Sequence, residues 1–370
     1  MQSESVYIAM AEVTGASPQR RFKGMSEYAA QLRSRESFKK AVGFRGYWST
    51  VQAVSRAFLV LVCVGLLISA VGFYGSSHLL GKANDLGRRC SPRRGSAPEH
   101  FQRFKFAMVT CSDGSSTIPG RSFEGVMEMV APNKKAYVKR HGYDFIDASS
   151  LLDTTRPPSW SKILAVKEQL SQYDWVFWND ADSAVTNPDI KLEDIIFSVV
   201  GDVKLEEMPD FIVTEDVTGV NAGMFFFRNS DWSRQFLDRW WNQTDFIQPF
   251  GQSKSGDNTA LKHLISVMDK DELKQHVRVP EMQCLFNSNL WKPSWRSCHR
   301  LITVTKAVWQ GVYARGDFMV HLAGLNDKSR WMRNVLRETD SWREQINSNE
   351  IVNSAMDILK SRKELMEPSQ

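Results

Sequence analysis

The feature that most constrains this chain is a stretch without any charged side chain, from Ala57 to Gly81. Its densest part, Ala57–Tyr74, is almost purely apolar. A helix needs roughly 20 apolar residues to cross the hydrocarbon core of a bilayer. A helix buried in a soluble core would show polar residues at every third or fourth position, and this stretch shows none. Because it begins too deep in the chain for a cleaved signal peptide, we predict a transmembrane signal anchor at residues 57–76.

Charge is distributed unevenly along the chain. Residues 1–100 contain 14 Lys and Arg against 6 Asp and Glu, a net charge of +8, whereas the whole chain carries +5. The remaining residues therefore carry −3 and lack the basic character of a nucleic-acid-binding protein, so we expect no nucleic-acid partner.

Basic residues flank the apolar stretch on both sides, and the positive-inside rule leaves the orientation open. The sequon at Asn242-Gln243-Thr244 makes Asn242 a candidate glycosylation site.

The other segments differ in composition. Residues 1–56 are polar and basic without a sustained period, which is typical of a mostly disordered tail with at most a short helix. Residues 77–103 carry Gly, Ser, Pro and Arg and are predicted to form a stalk. A hydrophobic content of 42% and a charged content of 24% fit a globular domain. We place that domain at residues 104–340 and a helical extension at 341–370.

Five cysteines constrain the redox setting. Cys63 lies in the apolar stretch, and the four others allow three pairings. Cys284 and Cys298 are close in sequence and are the expected disulfide if the domain is luminal. Free thiols are the alternative.

From Phe104 onward, apolar β-rich runs alternate with helical segments. Asn133 is a candidate helix N-cap, and Gly142 a candidate C-terminal stop. This alternation predicts an α/β domain whose first strands are parallel, with ligands bound at the carboxyl ends of the strands. The predicted strands are residues 105–110, 143–148, 173–178, 211–215 and 224–228, and a further helix is predicted at 160–171.

Paired carboxylates follow the third predicted strand. Asp180 and Asp182 are two residues apart, so in an extended chain their side chains point to the same side. Two adjacent carboxylates repel each other unless a cation neutralises them. Mg²⁺ or Mn²⁺ would do so and leave coordination positions for diphosphate oxygens. The alternative interpretation is a surface turn, in which Asn, Asp and Ser are ordinary residues.

Several ungapped motifs in this part of the chain resemble glycosyltransferase family 34. This family contains fungal Golgi α-galactosyltransferases and α-mannosyltransferases and plant xyloglucan xylosyltransferases. The resemblance spans residues 104–325 and keeps the order of the family's motifs. The matching segments are NKKAYVKRHGYDF (Asn133–Phe145), RPPSWSKILAVKEQLSQYDWVFWNDADSAVTNP (Arg156–Pro188), VNAGMFFFRNSDWSRQFLDRWW (Val220–Trp241), SGDNTALKHLI (Ser255–Ile265) and FMVHLAG (Phe318–Gly324).

The resemblance implies a GT-A fold and transfer with retention of anomeric configuration. It implies a metal bound by Asp180, Asp182 and the late histidine, His321, with Asp180 also near the nucleotide. A neutral imidazole suits Mn²⁺ better than Ca²⁺, so Mn²⁺ is the expected cofactor and Mg²⁺ the second choice. The plant enzymes carry a lysine where this chain has Asn326, and Lys328 could substitute for it.

The remaining site residues are also carried over by resemblance. Asp257 is expected close to the donor sugar as a catalytic residue, although as the head of a helix it could instead be a cap. Asn221 is expected to be a second catalytic residue, a hydrogen-bonding arm beside the donor. The expected nucleotide-sugar contacts are Thr110, Lys162, Asp180, Gly223 and Asn258, the last standing where the family usually has Gln. Lys162 could equally be a solvated helix lysine.

The resemblance therefore predicts a single-pass type II Golgi membrane protein with a cytosolic tail at residues 1–56 and a luminal catalytic domain. The expected reaction moves galactose or mannose from a nucleotide-sugar to a glycan acceptor and forms an α-glycosidic bond. UDP-galactose and GDP-mannose are the leading donors, and UDP-xylose is the third. A homo- or hetero-oligomer with related transferases is compatible with this prediction. The alternatives are a non-catalytic sugar-binding or scaffold relative and a nucleotide-sugar hydrolase.

Overall fold

The computed structural model describes residues 18–92, 97–114, 122–252 and 254–344. The chain divides into two compact units, the first ending at Gly72 and the second beginning at Phe73. The expected extension at 341–370 lies almost wholly outside the described residues, as do the first 17 residues of the tail.

The described residues of the first unit belong to helix α1, which runs from Pro18 to Gly81 and ends within the second unit. It is therefore much longer than the short helix expected in the tail. Within the described residues, its Tyr47–Gly81 part is the one helix that is long and apolar enough to cross a membrane, with a mean hydropathy of 2.5 over an 18-residue window. The apolar side chains of this part are largely exposed, Phe58 and Leu61 among them. An all-round apolar and unburied helix is what a bilayer-spanning segment requires.

The second unit alternates strands and helices. Its helices are α2 (Glu99–Gln102), α3 (Val126–His141), α4 (Ser161–Gln169), α5 (Leu192–Val200), α6 (Asp231–Trp241), α7 (Asp257–Val267), α8 (Lys270–His276), α9 (Trp295–Thr303), α10 (Thr305–Gly311) and α11 (residues 328–344). Its strands are β1 (Phe106–Thr110), β2 (Asp144–Asp147), β3 (Trp175–Asn179), β4 (Ser183–Val185), β5 (Phe211–Asp216), β6 (Gly219–Arg228), β7 (Val277–Arg278), β8 (Ser288–Asn289) and β9 (Met319–His321).

The main sheet has six strands in the order β2-β1-β3-β6-β5-β7. Strand β1 is parallel to β2 and β3, as the sequence predicted, whereas β6 is antiparallel to β3. A second sheet of three strands, β4-β9-β8, adjoins the carboxyl end of β3 in the chain. The α/β class is therefore confirmed.

Strand β3 is buried on both faces. Val176 and Trp178 belong to one hydrophobic cluster, and Trp175 and Phe177 belong to another on the opposite side. A strand covered on both sides has an uninterrupted apolar sequence, which is why Trp175–Trp178 contains no polar residue. The first polar side chains after it stand at the edge of the sheet, and this edge carries the candidate site.

Helix α3 begins eight residues earlier than the sequence predicted, with Gly125 and not Asn133 at its N-cap. It starts at Val126 and contains Pro132, and Asn133 does not cap it. The side-chain amide of Asn133 instead donates to the carbonyl oxygen of Val185 at 2.9 Å and accepts from its N–H, also at 2.9 Å. The helix ends as predicted at Gly142, whose φ of 75° lies in the left-handed region.

The segment expected to be a stalk is in part a packed element of the second unit. Leu80, Ala83, Arg88 and Cys90 are all at most 5% exposed. Arg88 Nη2 donates to both carboxylate oxygens of Asp317, at 2.9 Å to Oδ1 and 2.8 Å to Oδ2, and both side chains are fully buried. The stalk prediction is therefore wrong for this stretch, because Gly, Ser and Arg content says nothing about partners distant in the sequence.

The predicted disulfide is also wrong. Cys284 pairs with Cys90, with 5.5 Å between their Cα atoms, and Cys298 is a free thiol within α9. Closeness in sequence misled the prediction because the fold brings the buried Cys90 and Cys284 together across 194 residues.

The buried ion pair predicts a large stability difference between two arginine substitutions. Arg88→Met leaves the Asp317 carboxylate buried without its cation, so we expect the free energy of unfolding to fall by about 3–5 kcal/mol. Arg103→Met removes the surface pair with Glu99, whose side chains are 74% and 81% exposed, and should cause no measurable change. Guanidinium unfolding of the full chain in detergent micelles measures both. Equal unfolding midpoints for the two variants would contradict the assignment of Arg88 and Asp317 as a buried, stabilising ion pair.

Candidate active site

The paired carboxylates lie where β3 leaves the sheet. The Asp180 N–H donates to the Gly223 carbonyl oxygen at 2.8 Å, and the Leu322 N–H donates to the Asp182 carbonyl oxygen at 2.9 Å. These backbone bonds join the loop after β3 to β6 on one side and to the end of β9 on the other. Both side chains are thereby held at the carboxyl edge of the sheet.

His321 completes a three-residue cluster with the two aspartates. The antiparallel register of β4 and β9 pairs Ser183 with His321, which sets the imidazole beside Asp182. His321 Nε2 lies 3.7 Å from Asp180 Oδ2 and 3.5 Å from Asp182 Oδ1. These distances exceed those of direct hydrogen bonds. The candidate ligand atoms of all three residues lie within 4.8 Å of one another, so the residues predicted to bind the metal do come together.

The donor set of this cluster fits a divalent cation. Two carboxylates and an imidazole are the ligand types that Mn²⁺ accepts, and the carboxylates alone would suit Mg²⁺. Asp182 and His321 are each about 4% exposed, so a cation there would be largely shielded from water. The Asp180 side chain is 28% exposed and lines the cavity described below.

Gly223 permits the close approach of His321. A Cβ built at position 223 would lie 2.2 Å from His321 Cε1 and 2.8 Å from His321 Nδ1. Real Cβ atoms do not come this close to ring atoms, so any other residue would displace the imidazole. The sequence predicted a close approach at Gly223 but assigned it to the donor. In the structure the neighbour is the candidate metal ligand itself.

Lys162 links two carboxylates that are distant in sequence. Its Nζ lies 3.1 Å from Asp180 Oδ1 and 3.2 Å from Asp257 Oδ2, and it also donates to the Ala222 carbonyl oxygen at 2.9 Å. Burial alone would lower the pKa of this ammonium group, but Asp180 and Asp257 outweigh burial and raise the pKa. Lys162 is therefore a buried, charged bridge and not a solvated helix lysine.

Asp257 is the first residue of α7 but does not cap it, because Gly256 occupies the N-cap position. Its carboxylate accepts hydrogen bonds from Ser159 Oγ at 2.9 Å and from Ser255 Oγ at 2.5 Å. Burial would raise the pKa of Asp257, but Lys162 and the two serine hydroxyls lower it. The carboxylate is thus held ionised and in one orientation at the edge of the candidate site.

Lys328, at the start of α11, forms an ion pair with Asp182 and donates to the Leu322 carbonyl oxygen at 3.0 Å. Burial would raise the pKa of Asp182, but Lys328 and His321 outweigh it and hold that pKa well below its usual range. The lysine that the sequence identified as a substitute at this position therefore does reach the site.

Thr110 is not among the residues that line the candidate pocket. Strand β1 alternates its side chains, so Thr110 shares the face of Phe106 and Met108, and its hydroxyl oxygen lies 3.5 Å from Lys134 Nζ. The three residues after it, Cys111, Ser112 and Asp113, line the pocket instead. Burial, reinforced by Asp180, raises the pKa of the Cys111 thiol to about 12, so this thiol stays protonated.

Asn221 and Asn258 both line the pocket, but their side chains hydrogen-bond to other groups of the protein. Asn221 Nδ2 donates to Asp216 Oδ2 at 2.7 Å, and Asn221 Oδ1 accepts from the Gly223 N–H at 2.8 Å. Asn258 Oδ1 accepts from the Ala222 N–H at 2.7 Å. Each side chain therefore fixes the β6 backbone beside the aspartates.

The sequence analysis did not identify Lys134, Ser159 or Ser255. Lys134 is fully buried and donates to the Asp180 carbonyl oxygen at 3.3 Å, and burial lowers the pKa of Lys134 to about 7. Its place on the buried face of α3, four residues after Val130, was a usable signal. The two serines gave no signal, because their roles depend on a contact between segments 96 residues apart.

A cavity of about 670 Å³, which is in the size range of small-molecule sites, is lined by Ser159, Lys162, Asp180, Asp182, Ser255, Asp257, His321 and Lys328, among others. Three carboxylates, of Asp180, Asp182 and Asp257, face two ammonium groups, of Lys162 and Lys328. A divalent cation would change the balance of these five groups from −1 to +1. The loaded site would then attract a ligand that carries phosphate groups.

A family model for the galactosyl transferase GMA12/MNN10 family, glycosyltransferase family 34, matches residues 103–209 and 201–331 of this chain. The match covers more than half of the chain and includes the whole site described above. The protein is thus of the glycosyltransferase class. The chain belongs to family 34, as its motifs predicted, and the GT-A fold expected with this family agrees with the two sheets observed.

The chain is also similar to individual curated proteins. It is 30% identical over 160 residues to the probable alpha-1,6-mannosyltransferase MNN10 of Saccharomyces cerevisiae, which covers 36% of this chain and 40% of that protein. It is 23% identical over 238 residues to an alpha-1,2-galactosyltransferase of Schizosaccharomyces pombe, covering 54% of this chain and 56% of that protein. This chain thus spans about half the length of the curated relatives that it matches.

Similarity to solved structures is more limited. A galactosyltransferase, LgtC, in complex with donor and acceptor sugar analogs superposes with a TM-score of 0.37 and 13% identity, over 64% of this chain and 95% of that chain. A glycosyltransferase involved in glycosylation of the major capsid of PBCV-1 gives a TM-score of 0.39 and 12% identity, over 63% of this chain and 99% of that chain.

The packing of His321 against Gly223 predicts a metal-binding defect from a single methyl group. Gly223→Ala should weaken Mn²⁺ binding at least about ten-fold, because the added Cβ displaces a candidate ligand. Gly75→Ala is the control, since a Cβ at position 75 meets no heavy atom within 4 Å and α1 accepts alanine. Titration of the full chain with Mn²⁺, with free ion measured by electron paramagnetic resonance, compares the two. Unchanged Mn²⁺ affinity in Gly223→Ala would contradict the assignment of His321 as a metal ligand.

Proposed function

We propose that this protein is a metal-dependent retaining glycosyltransferase that moves galactose or mannose from a nucleotide-sugar to a glycan acceptor and forms an α-glycosidic bond. The observation that supports this most strongly is the cluster of Asp180, Asp182 and His321 at the edge of the cavity, with Lys162 and Lys328 beside it. UDP-galactose and GDP-mannose remain the leading donors, with UDP-xylose third.

The divalent cation, Mn²⁺ in our proposal and Mg²⁺ as the second choice, would be held by Asp180, Asp182 and His321. When bound, it supplies electrostatic stabilisation of the negative charge on the departing diphosphate. Lys328, which now pairs with Asp182, would offer its ammonium to the same diphosphate. Lys162 lies between Asp180 and Asp257, so it positions both carboxylates and sets the charge beside the nucleotide.

For the sugar-transfer step we favour attack of the acceptor on the face from which the diphosphate departs. In that step the acceptor hydroxyl oxygen forms the new bond to the anomeric carbon, the bond to the β-phosphate oxygen breaks, and that oxygen takes the acceptor proton. Asp257 orients the donor sugar, with Asn221, Gly223 and Asn258 shaping the adjacent backbone. The lysine and two serines around the Asp257 carboxylate support an orienting role, because they reduce its nucleophilicity.

Mass spectrometry distinguishes this step from a covalent route. The intact protein incubated with donor and Mn²⁺ should show no mass increase of one hexose on Asp257, including when acceptor is withheld. Asp257→Asn should retain donor binding and lose most turnover, because it removes a charge paired with Lys162. A glycosylated peptide containing Asp257 would overturn the proposal in favour of a double displacement.

We further propose that the second unit is luminal in a single-pass type II Golgi membrane protein. The support is the buried disulfide between Cys90 and Cys284, since disulfides persist in the secretory compartments and not in the cytosol. Asn242 is exposed at the C-terminal end of α6, where a sequon can be modified. The catalytic domain, expected at 104–340, would then include the packed segment that starts at Leu80.

Glycosidase digestion of protein from a eukaryotic membrane fraction tests this orientation. We expect removal of N-linked glycan to increase gel mobility in the wild type and to have no effect on Asn242→Gln. Thiol labelling under denaturing conditions should find Cys90 and Cys284 blocked until reduction. Free Cys90 and Cys284 together with an unmodified Asn242 accessible to protease on the cytosolic side would contradict a luminal domain.

The donor and the metal requirement are tested together by nucleotide release. The full chain in micelles is incubated with UDP-galactose, GDP-mannose, UDP-xylose or UDP-glucose, with Mn²⁺ or chelator. We expect release from one donor, abolished by chelator and reduced at least about a hundred-fold in Asp182→Asn, because that variant weakens a metal ligand. Asp231→Asn is the matched control, since the Asp231 side chain is 94% exposed on α6.

Two other functions would be separated by the same assay. Release that glycan acceptors stimulate supports a transferase, whereas release independent of acceptors supports a nucleotide-sugar hydrolase. A folded protein that binds Mn²⁺ and releases nothing from any donor, with or without acceptor glycans, would indicate a sugar-binding or scaffold relative. Gel filtration of the same sample reports whether the chain forms an oligomer.

A further inference from the structure

A buried asparagine outside the predicted site contacts the candidate metal ligand His321. Asn287 lies between the turn at Gln283–Leu285 and strand β8, and it is fully buried. Its Oδ1 lies 3.0 Å from His321 Nδ1, the ring nitrogen that faces away from the aspartates. Its Nδ2 lies 2.8 Å from Thr214 Oγ1 and 3.2 Å from Asn221 Oδ1. A single amide group thus joins strands β5, β6 and β9.

The orientation of this amide follows from a backbone group. The Gly223 N–H can only donate, so the Asn221 atom that it contacts at 2.8 Å must be the carbonyl oxygen Oδ1. That same oxygen faces Asn287, which must therefore present its NH₂ group there. The Asn287 oxygen is left to face His321. Since an oxygen can only accept, His321 must carry a proton on Nδ1.

This assignment has a direct consequence for metal binding. In a neutral imidazole with its proton on Nδ1, the lone pair lies on Nε2. Nε2 is the nitrogen directed at Asp180 and Asp182, at 3.7 and 3.5 Å. A metal-ligating histidine generally uses its second nitrogen in such a hydrogen bond, which fixes both the tautomer and the ring orientation.

The backbone on both sides of Asn287 is itself held in place. The Asn287 N–H donates to the Gln283 carbonyl oxygen at 3.0 Å, and Gln283 Nε2 donates to the Asn287 carbonyl oxygen at 2.9 Å. The next residue after Gln283 is Cys284, which the disulfide ties to Cys90. The side chain is therefore presented to His321 by a segment that cannot easily rotate it away.

We propose that Asn287 is a positioning residue that selects the metal-binding tautomer of His321 and aligns it with the two aspartates. This inference rests on the metal site of the proposed function. It predicts that loss of the acceptor at position 287 weakens metal binding even in the absence of donor and acceptor sugars.

The test is Mn²⁺ affinity of the full chain in micelles, measured by electron paramagnetic resonance without any donor. Asn287→Leu removes the acceptor, and the shorter side chain in Asn287→Ser withdraws it from His321 Nδ1, so both should weaken binding about 10- to 100-fold. Asn287→Asp keeps an oxygen opposite His321 Nδ1 but loses the NH₂ group that faces Asn221 Oδ1, so it should bind Mn²⁺ more tightly than Asn287→Ser. Thr214→Val is the matched control, because it removes a hydrogen bond of Asn287 without touching the bond to His321, and it should stay within about three-fold of the wild type.

The outcomes separate a positioning role from a structural one. If Asn287→Leu does not fold, as judged by thermal unfolding, the smaller Asn287→Ser decides. Wild-type affinity in Asn287→Ser, or Asn287→Asp binding as weakly as Asn287→Ser, would overturn the inference alone. Absence of Mn²⁺ binding in the wild type would overturn the metal site and this inference together, whereas Mn²⁺ binding without sugar transfer would overturn only the transferase proposal.

Discussion

The structure depends on how negative charge is neutralised at the carboxyl end of β3. This strand is covered on both faces, so Asp180 and Asp182 emerge from an apolar core, where the Asp182 side chain is about 4% exposed and that of Asp180 28%. Uncompensated carboxylates in such a place would be very unfavourable. The chain supplies Lys162 for Asp180 and Asp257, and Lys328 for Asp182. His321 Nε2 lies 3.5–3.7 Å from carboxylate oxygens of the two aspartates, and these three residues could hold a divalent cation.

Much of this edge was predictable because its elements are local. The aromatic run before Asp180 indicated a buried strand, and the two-residue spacing indicated a shared face. The resemblance to family 34, whose motifs occur in the same order, identified His321 and Asp257 as further site residues. The contacts that fix these residues were not predictable, since Ser159 lies in a single 3₁₀ turn and Ser255 and Asn287 lie in loops, none of which carries a periodic pattern. Thr110 does not line the pocket, because its side chain lies on the face of β1 that carries Phe106 and Met108.

The segment after the apolar helix shows the same limit of sequence reasoning. Composition favoured a flexible stalk, but Arg88 and Cys90 are buried and bonded to Asp317 and Cys284. Asp317 also accepts a hydrogen bond from Ser288 Oγ at 2.8 Å, on the strand that follows Asn287. The buried pair and the disulfide therefore support strand β9, which carries His321, and strand β8, which follows Asn287. A soluble fragment that begins after Cys90 would lack both links.

The most direct test of the central claim is anomalous X-ray scattering at the manganese edge from crystals of the protein grown with Mn²⁺. The account predicts one strong peak between Asp180, Asp182 and His321, within about 2.0–2.3 Å of a carboxylate oxygen of each aspartate and of His321 Nε2. A crystal in which this position shows no peak at saturating Mn²⁺, with Lys328 still paired to Asp182, would contradict the assignment of these residues as a metal site.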